Sequence, residues 1–155
     1  MENKLQFYID GKWVDPVVPK TLEVIDPSNE EPFARISMGS KADVDKAVAA
    51  ARRAFETWSR TSKEERLALM GKIVEVYQKR YGDIVQAISR EMGAPLGLSK
   101  NAQAAMGIAH FTQAMKVLKD FEFEKVEGST AIVREPVGVV GMITPWNWPI
   151  NQIAC

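Results

Sequence analysis

The chain has 155 residues, 46% hydrophobic and 26% charged, the proportions of a soluble globular domain long enough to bury a core. Its 20 basic and 20 acidic side chains cancel, which excludes the electrostatic footprint of a nucleic-acid or anionic-membrane binder. A single cysteine excludes an internal disulfide framework and a multi-cysteine metal site. No run approaches the ~18 apolar residues of a membrane span, and Met1-Glu2-Asn3-Lys4 opens no signal peptide, so the expected location is cytoplasmic.

In chain order, Leu5, Phe7 and Ile9 alternate with polar neighbours, and Asp10-Gly11 before Lys12-Trp13-Val14 predicts a β-hairpin. Residues 15–20 hold two prolines and read as loop. Short strands are expected over Thr21–Ile25 and Pro32–Ser37, joined by a turn at Ser28-Asn29. Ser40 with Asp43, then Ser62 with Glu65, form capping-box pairs that open two helices. Their apolar faces are Val44, Ala47, Val48, Ala51, Phe55, Trp58 and Leu69, Met70, Ile73, Val74, Tyr77, Tyr81. A third helix is predicted over Asp83–Met92, stopped by Gly93-Ala94-Pro95, and a fourth over Leu98–Asp120. Phe121–Lys125 and Thr130–Arg134 around Glu127-Gly128-Ser129 predict a second hairpin.

The chemistry-bearing stretch lies near the C-terminal end. Val137–Ile143 is short, apolar and rich in β-branched residues, as a strand buried on both faces is. Pro145 and Pro149 then bracket Trp146-Asn147-Trp148. Each proline fixes its own φ and biases the residue before it toward extended backbone, and Pro149 suits the first turn of a helix through Cys155. A strand, a stiff elbow and a helix start result, with Asn147 at the bend. Asn147 has two readings: it satisfies backbone groups of a turn, or it points its NH2 into a site at the carboxyl end of a buried strand, where an amide donor stabilises a developing oxyanion. His110, the only histidine, has no second ligand at metal spacing and reads as structural. Val137-Gly138-Val139-Val140-Gly141 holds GxxG but not the GxGxxG dinucleotide fingerprint.

Pro145-Trp146-Asn147-Trp148-Pro149, preceded by Glu135-Pro136-Val137-Gly138-Val139-Val140-Gly141, resembles the N-terminal portion of the NAD(P)-dependent aldehyde dehydrogenase superfamily. The likeness extends upstream through Tyr8–Trp13, Val24-Ile25-Asp26-Pro27, the helix from Asp43 to Trp58 and Glu91–Pro95. At Gly93-Ala94-Pro95 this chain departs from the Gly-Lys-Pro of many members.

The resemblance implies an α/β fold class: the N-terminal part of an aldehyde-dehydrogenase-like fold, with an N-terminal β-hairpin, four amphipathic helices, a protruding β-hairpin and the first strand of a parallel Rossmann-like sheet. Residues 1–120 would belong to the cofactor-binding domain, 121–136 to an oligomerisation hairpin, and 137–155 to the first strand, elbow and helix start of the dinucleotide-binding sheet. The implied activity is oxidation of a small-molecule aldehyde to a carboxylic acid with NAD or NADP through a cysteine thiohemiacetal. The nucleophilic cysteine and general-base glutamate fall in family segments beyond Cys155, so these residues alone are expected to be inactive. Asn147 would be the oxyanion donor; Ile143, Thr144, Pro145 and Trp146 would run beside the nicotinamide half of the cofactor. Trp148, Gln152 and Cys155 share one helix face at i, i+4 and i+7, which is either plain packing or, as in the family, the wall of an aldehyde tunnel. Cys155, with no neighbouring activating group, is not expected to be the nucleophile. Family members place a monovalent cation near the positions of Glu91 and the Ile25 carbonyl, but one carboxylate makes no metal site and none is expected here. Homo-oligomers, dimer or tetramer, are expected. The competing reading is a non-enzymatic truncated paralogue or stand-alone helical domain that serves as an oligomerisation or interaction module through the second hairpin.

Overall fold

Asp10 and Gly11 adopt positive φ of 55° and 74°, the left-handed pair that a tight two-residue hairpin turn demands. β2 (Phe7–Ile9) and β3 (Lys12–Val14) therefore pair antiparallel, with Phe7 opposite Val14 and Ile9 opposite Lys12. Tyr8 and Trp13, facing each other across the ladder, meet edge to face with ring centres 5.2 Å apart. The computed structural model describes all of residues 1–155.

β4 (Thr21–Asp26) and β5 (Glu31–Ser37) form the expected second antiparallel pair. Its turn is held by the Asp26 carboxylate, which accepts from the Ser28 hydroxyl at 2.6 Å and the Ser28 N–H at 2.9 Å. Those two bonds hold the Asp26 carboxyl below the usual carboxylate range. A strand that the sequence does not announce, β1 (Glu2–Lys4), joins β5 in parallel to give the order β1-β5-β4. Its Glu-Asn-Lys is polar and exposed and carries no strand signal. Tertiary contacts place it: Ser37 donates to the Leu5 carbonyl at 2.6 Å, and Arg90 reaches Glu2 at 3.2 Å.

Both capping boxes are made. Ser40 opens α1 (Lys41–Trp58) and Ser62 opens α2 (Lys63–Lys79), each exchanging bonds with the acidic residue three positions on. Asp43 does more than cap: its second carboxylate oxygen accepts from the Val17 N–H at 2.9 Å, tying the proline-containing loop to α1. The residue is only 5% exposed. Bonds from the Ser40 hydroxyl, the Ser40 N–H and the Val17 N–H lower its pKa. α3 (Tyr81–Met92) ends at Gly93, whose φ of 71° is the left-handed cap expected of that glycine.

The fourth helix is not continuous. It divides into α4 (Leu96–Leu98), a π-helical turn over Ser99–Gln103 and α5 (Ala104–Asp120). A π turn inserts a residue and rotates the next part of the helix about its axis, so Ser99, Gln103 and Ala104 all face inward, at 0%, 2% and 0% exposure. Ala104 joins Val85, Ile88 and Ala94 in the core cluster, packed against Tyr81, Ile84, Met92 and Ile150. β6 (Glu124–Glu127) and β7 (Thr130–Val133) form the second hairpin about Gly128, exposed along its whole length.

The strand expected over Val137–Ile143 does not form. The segment has no ladder partner, with Val137 91% and Ile143 100% exposed. The apolar pattern is that of a central parallel strand, but a strand exists only through its neighbours, and no other stretch of this chain lies alongside. α6 (Pro149–Ala154) begins at the proline as expected. No helix is long and apolar enough to cross a membrane.

Replacing Ser40 by Ala should lower stability by about 1 kcal/mol, the ordinary value of an N-cap. Denaturant titration of the variant beside Ser62→Ala should give losses of similar size, and an unchanged midpoint for Ser40→Ala would show that the cap is not holding α1.

Candidate functional site

The elbow is stiff because of its prolines and fixed in place because of α5. Trp148, the cap of α6, has φ −136° and ψ 68°, outside the helical region, and the residue before a proline is driven there by the pyrrolidine ring. From Pro149 the chain turns helical: the Gln152 N–H bonds the Trp148 carbonyl at 3.0 Å and the Cys155 N–H bonds the Asn151 carbonyl at 3.0 Å.

Gln103, Gly107 and His110 stand on one stripe of the π turn and α5 at roughly i, i+4 and i+7 spacing. Gln103 donates from Nε2 to the backbone carbonyl of Asn147 at 3.3 Å. Gly107 lies where Tyr77 and Ile150 approach; a Cβ there would sit 2.6 Å from the Tyr77 oxygen and 2.7 Å from Ile150 Cγ2. His110 Nε2 meets Asn151 Oδ1 at 2.8 Å; that oxygen can only accept, so the ring nitrogen donates. Tyr77 closes the same corner by donating to the Ala104 carbonyl at 2.7 Å. Burial, with a smaller contribution from Tyr81, pushes its phenol up to about 12, so it remains a donor at neutral pH.

On this seat the elbow holds its side chains outward. Asn147 is exposed, and the contact that pins it runs through its backbone, which leaves the carboxamide free. Thr144 and Pro145 are exposed, as are Ile143 at 100% and Trp146 at 77%. Ile150 and Asn151 take the inner side of α6, against the core and His110. The row Trp148, Gln152, Cys155 lies on a different side, the first two half-buried and the thiol exposed. The eight residues singled out in the sequence thus lie along one stretch of chain, exposed or half-buried, and are not gathered into a closed pocket. An open apolar groove of about 510 Å³ lies elsewhere, between α2 and α3, lined by Ile73, Val76, Tyr77 and Ile84.

Glu91 is exposed, and partial desolvation of its carboxyl raises its pKa. No three or more His, Cys, Asp or Glu side chains gather where a metal could be held. His110 has the structural contact that a lone histidine suggests. Gln103 and Gly107 were not legible as site residues; the only signal was a glutamine among the small residues that open a helix, with a glycine at i+4.

Residues 13–155 match the family described as "Aldehyde dehydrogenase family". A 3-succinoylsemialdehyde-pyridine dehydrogenase from a Pseudomonas species is 49% identical over 155 residues, which cover 99% of this chain and 32% of that protein. The crystal structure of an aldehyde dehydrogenase from Bartonella henselae superposes with a TM-score of 0.96 at 49% identity, covering 99% of this chain and 33% of its own. A mutant of aldehyde dehydrogenase C from Pseudomonas syringae, crystallised with NAD+ and octanal, gives a TM-score of 0.94 at 47% identity, covering 96% and 31%. The chain therefore spans about a third of the length of the proteins it matches.

Introducing a methyl group at Gly107 should lift α6 and Tyr77 away from α5. We expect Gly107→Ala to cost about 1–3 kcal/mol, the usual range for overpacking a tight contact. The Gln152–Cys155 amides, bonded within and at the end of α6, should lose hydrogen-exchange protection before the rest of the chain does; unchanged protection there would mean that α6 does not depend on this contact.

Proposed function

The chain belongs to the aldehyde dehydrogenase family, and from that premise we propose that it forms the N-terminal part of an oxidoreductase converting an aldehyde to a carboxylic acid with NAD or NADP. One observation carries the proposal: a carboxamide at a proline-stiffened bend, held through its backbone and exposed at its side chain. An amide fixed before the substrate arrives needs little reorganisation when negative charge develops opposite it, which is the physical basis of an oxyanion hole. In this reading a cysteine thiolate from outside residues 1–155 adds to the aldehyde carbon. Asn147 Nδ2 then donates to the oxygen as it becomes an alkoxide.

The cofactor, when bound, supplies the hydride acceptor. Ile143, Thr144, Pro145 and Trp146 fit one wall of its nicotinamide site, because an exposed, proline-restricted segment offers apolar surface and backbone groups with little ordering entropy left to lose. Trp148, Gln152 and Cys155 would face the aldehyde from the neighbouring side of α6. The unpaired Val137–Ile143 would take its place in the parallel sheet of the dinucleotide-binding domain, to which residues 1–120 also belong. The exposed β6–β7 hairpin, within residues 121–136, would join subunits into a dimer or tetramer.

In the complete enzyme, Asn147→Ala should lower kcat by about two to three orders of magnitude, the usual effect of losing an oxyanion donor. The thermal midpoint should hardly move, since the exposed amide anchors nothing. Wild-type turnover would remove Asn147 from the mechanism. Residues 1–155 expressed alone should produce no NADH or NADPH from any aldehyde, because in this reading neither the nucleophilic cysteine nor the general base is among them; activity in that preparation would refute the division of labour proposed.

A further inference from the structure

We propose that Gln103 is a positioning residue for the elbow, acting on the reacting oxygen through the Asn147 peptide group; the inference rests on the oxyanion role proposed for Asn147. Its side chain is 2% exposed, in the π turn that precedes α5. Nε2 donates to the Asn147 carbonyl at 3.3 Å, across 44 positions of sequence. The same nitrogen lies 3.8 Å from the Met92 sulfur. Because a carbonyl can only accept, the amide must present its NH2 to the elbow, and the amide oxygen is left facing away. That oxygen, Oε1, is the one buried side-chain polar atom in the chain without a hydrogen-bond partner.

A buried acceptor without a partner is unfavourable, and an apolar side chain of equal size would avoid the penalty. A glutamine held here despite it has a use for its donor, and that donor reaches one atom of the elbow. The bond fixes the plane of the Asn147–Trp148 peptide and so the direction in which the Asn147 Cα–Cβ bond points. The π turn ends at Gln103, so it turns Leu96–Leu98 and Ser99 relative to the stripe of Gln103, Gly107 and His110, which keep regular helical spacing. Gly107 and His110 settle where α6 lies; Gln103 settles how the bend before it is turned.

The test uses the complete enzyme with NAD(P) and an aldehyde. Gln103→Met keeps the length of the side chain and removes both donor and orphaned acceptor, and Gln103→Leu is a second apolar replacement of different shape in case the first does not fold. We expect kcat to fall about 10-fold or more, as misplacement of a reacting group does. KM for aldehyde and cofactor should stay close to wild type, and the thermal midpoint should hold or rise. Combined with Asn147→Ala, the substitution should slow the enzyme no further than Asn147→Ala alone, since a residue acting through Asn147 has nothing left to position. Wild-type kcat in both folded Gln103 variants, or losses that multiply in the double variant, would overturn the inference while leaving Asn147 in its role. Wild-type turnover in Asn147→Ala by itself would overturn both.

Discussion

The approach of α6 to α5 decides the geometry of the candidate site. It depends on the missing side chain of Gly107, which lets the Tyr77 ring and the Ile150 methyl group lie where a Cβ would be. Ile150 can then reach the cluster of Val85, Ile88, Ala94 and Ala104, so burial at the root of α6 also closes the core of α3 and α5. The polar contacts on either side, Gln103 to the elbow and His110 to Asn151, add direction to a contact whose driving force is apolar.

This arrangement separates what holds the elbow from what the elbow presents. Holding is done by backbone and inner-face groups: the Asn147 carbonyl, Ile150 and Asn151. Presentation falls to side chains that no neighbour restrains, Asn147 and Trp146 above all. Prolines at both ends remove backbone freedom that binding would otherwise have to remove. The remaining electrostatics are secondary to this. The ion pairs of the chain, such as Lys41 with Asp45 and Lys79 with Glu75, are exposed and screened and contribute little to stability. The carboxylates that matter structurally, Asp26 and Asp43, act by accepting hydrogen bonds from backbone and hydroxyl groups.

Much of the fold was legible because it is locally encoded. Asp10-Gly11 specifies a left-handed turn wherever it occurs between strand-forming residues, and the Ser40–Asp43 and Ser62–Glu65 pairs satisfy helix-end N–H groups within three residues. Gly93 and Pro149 stop and start helices by their own backbone restrictions. The elbow belongs to the same class, since two prolines stiffen a segment without help from elsewhere. Sequence alone therefore determined the two hairpins, the β4–β5 pair, the capped starts of α1 and α2, the family and the stretch that carries Asn147.

The rest depends on partners distant in the chain. β1 is a strand only because β5 is there to receive it, and Val137–Ile143, with a better strand pattern, is none because nothing pairs with it. The π turn coincides with the burial of Ser99, Gln103 and Ala104 against distant elements. The roles of Gln103 and Gly107 come from contacts 44 and 43 positions away, with Asn147 and Ile150. Periodicity reports which face of a helix is apolar but not which residue of another element will meet it; that was decided by the packing of α5 against α6, where two surfaces had to fit at once.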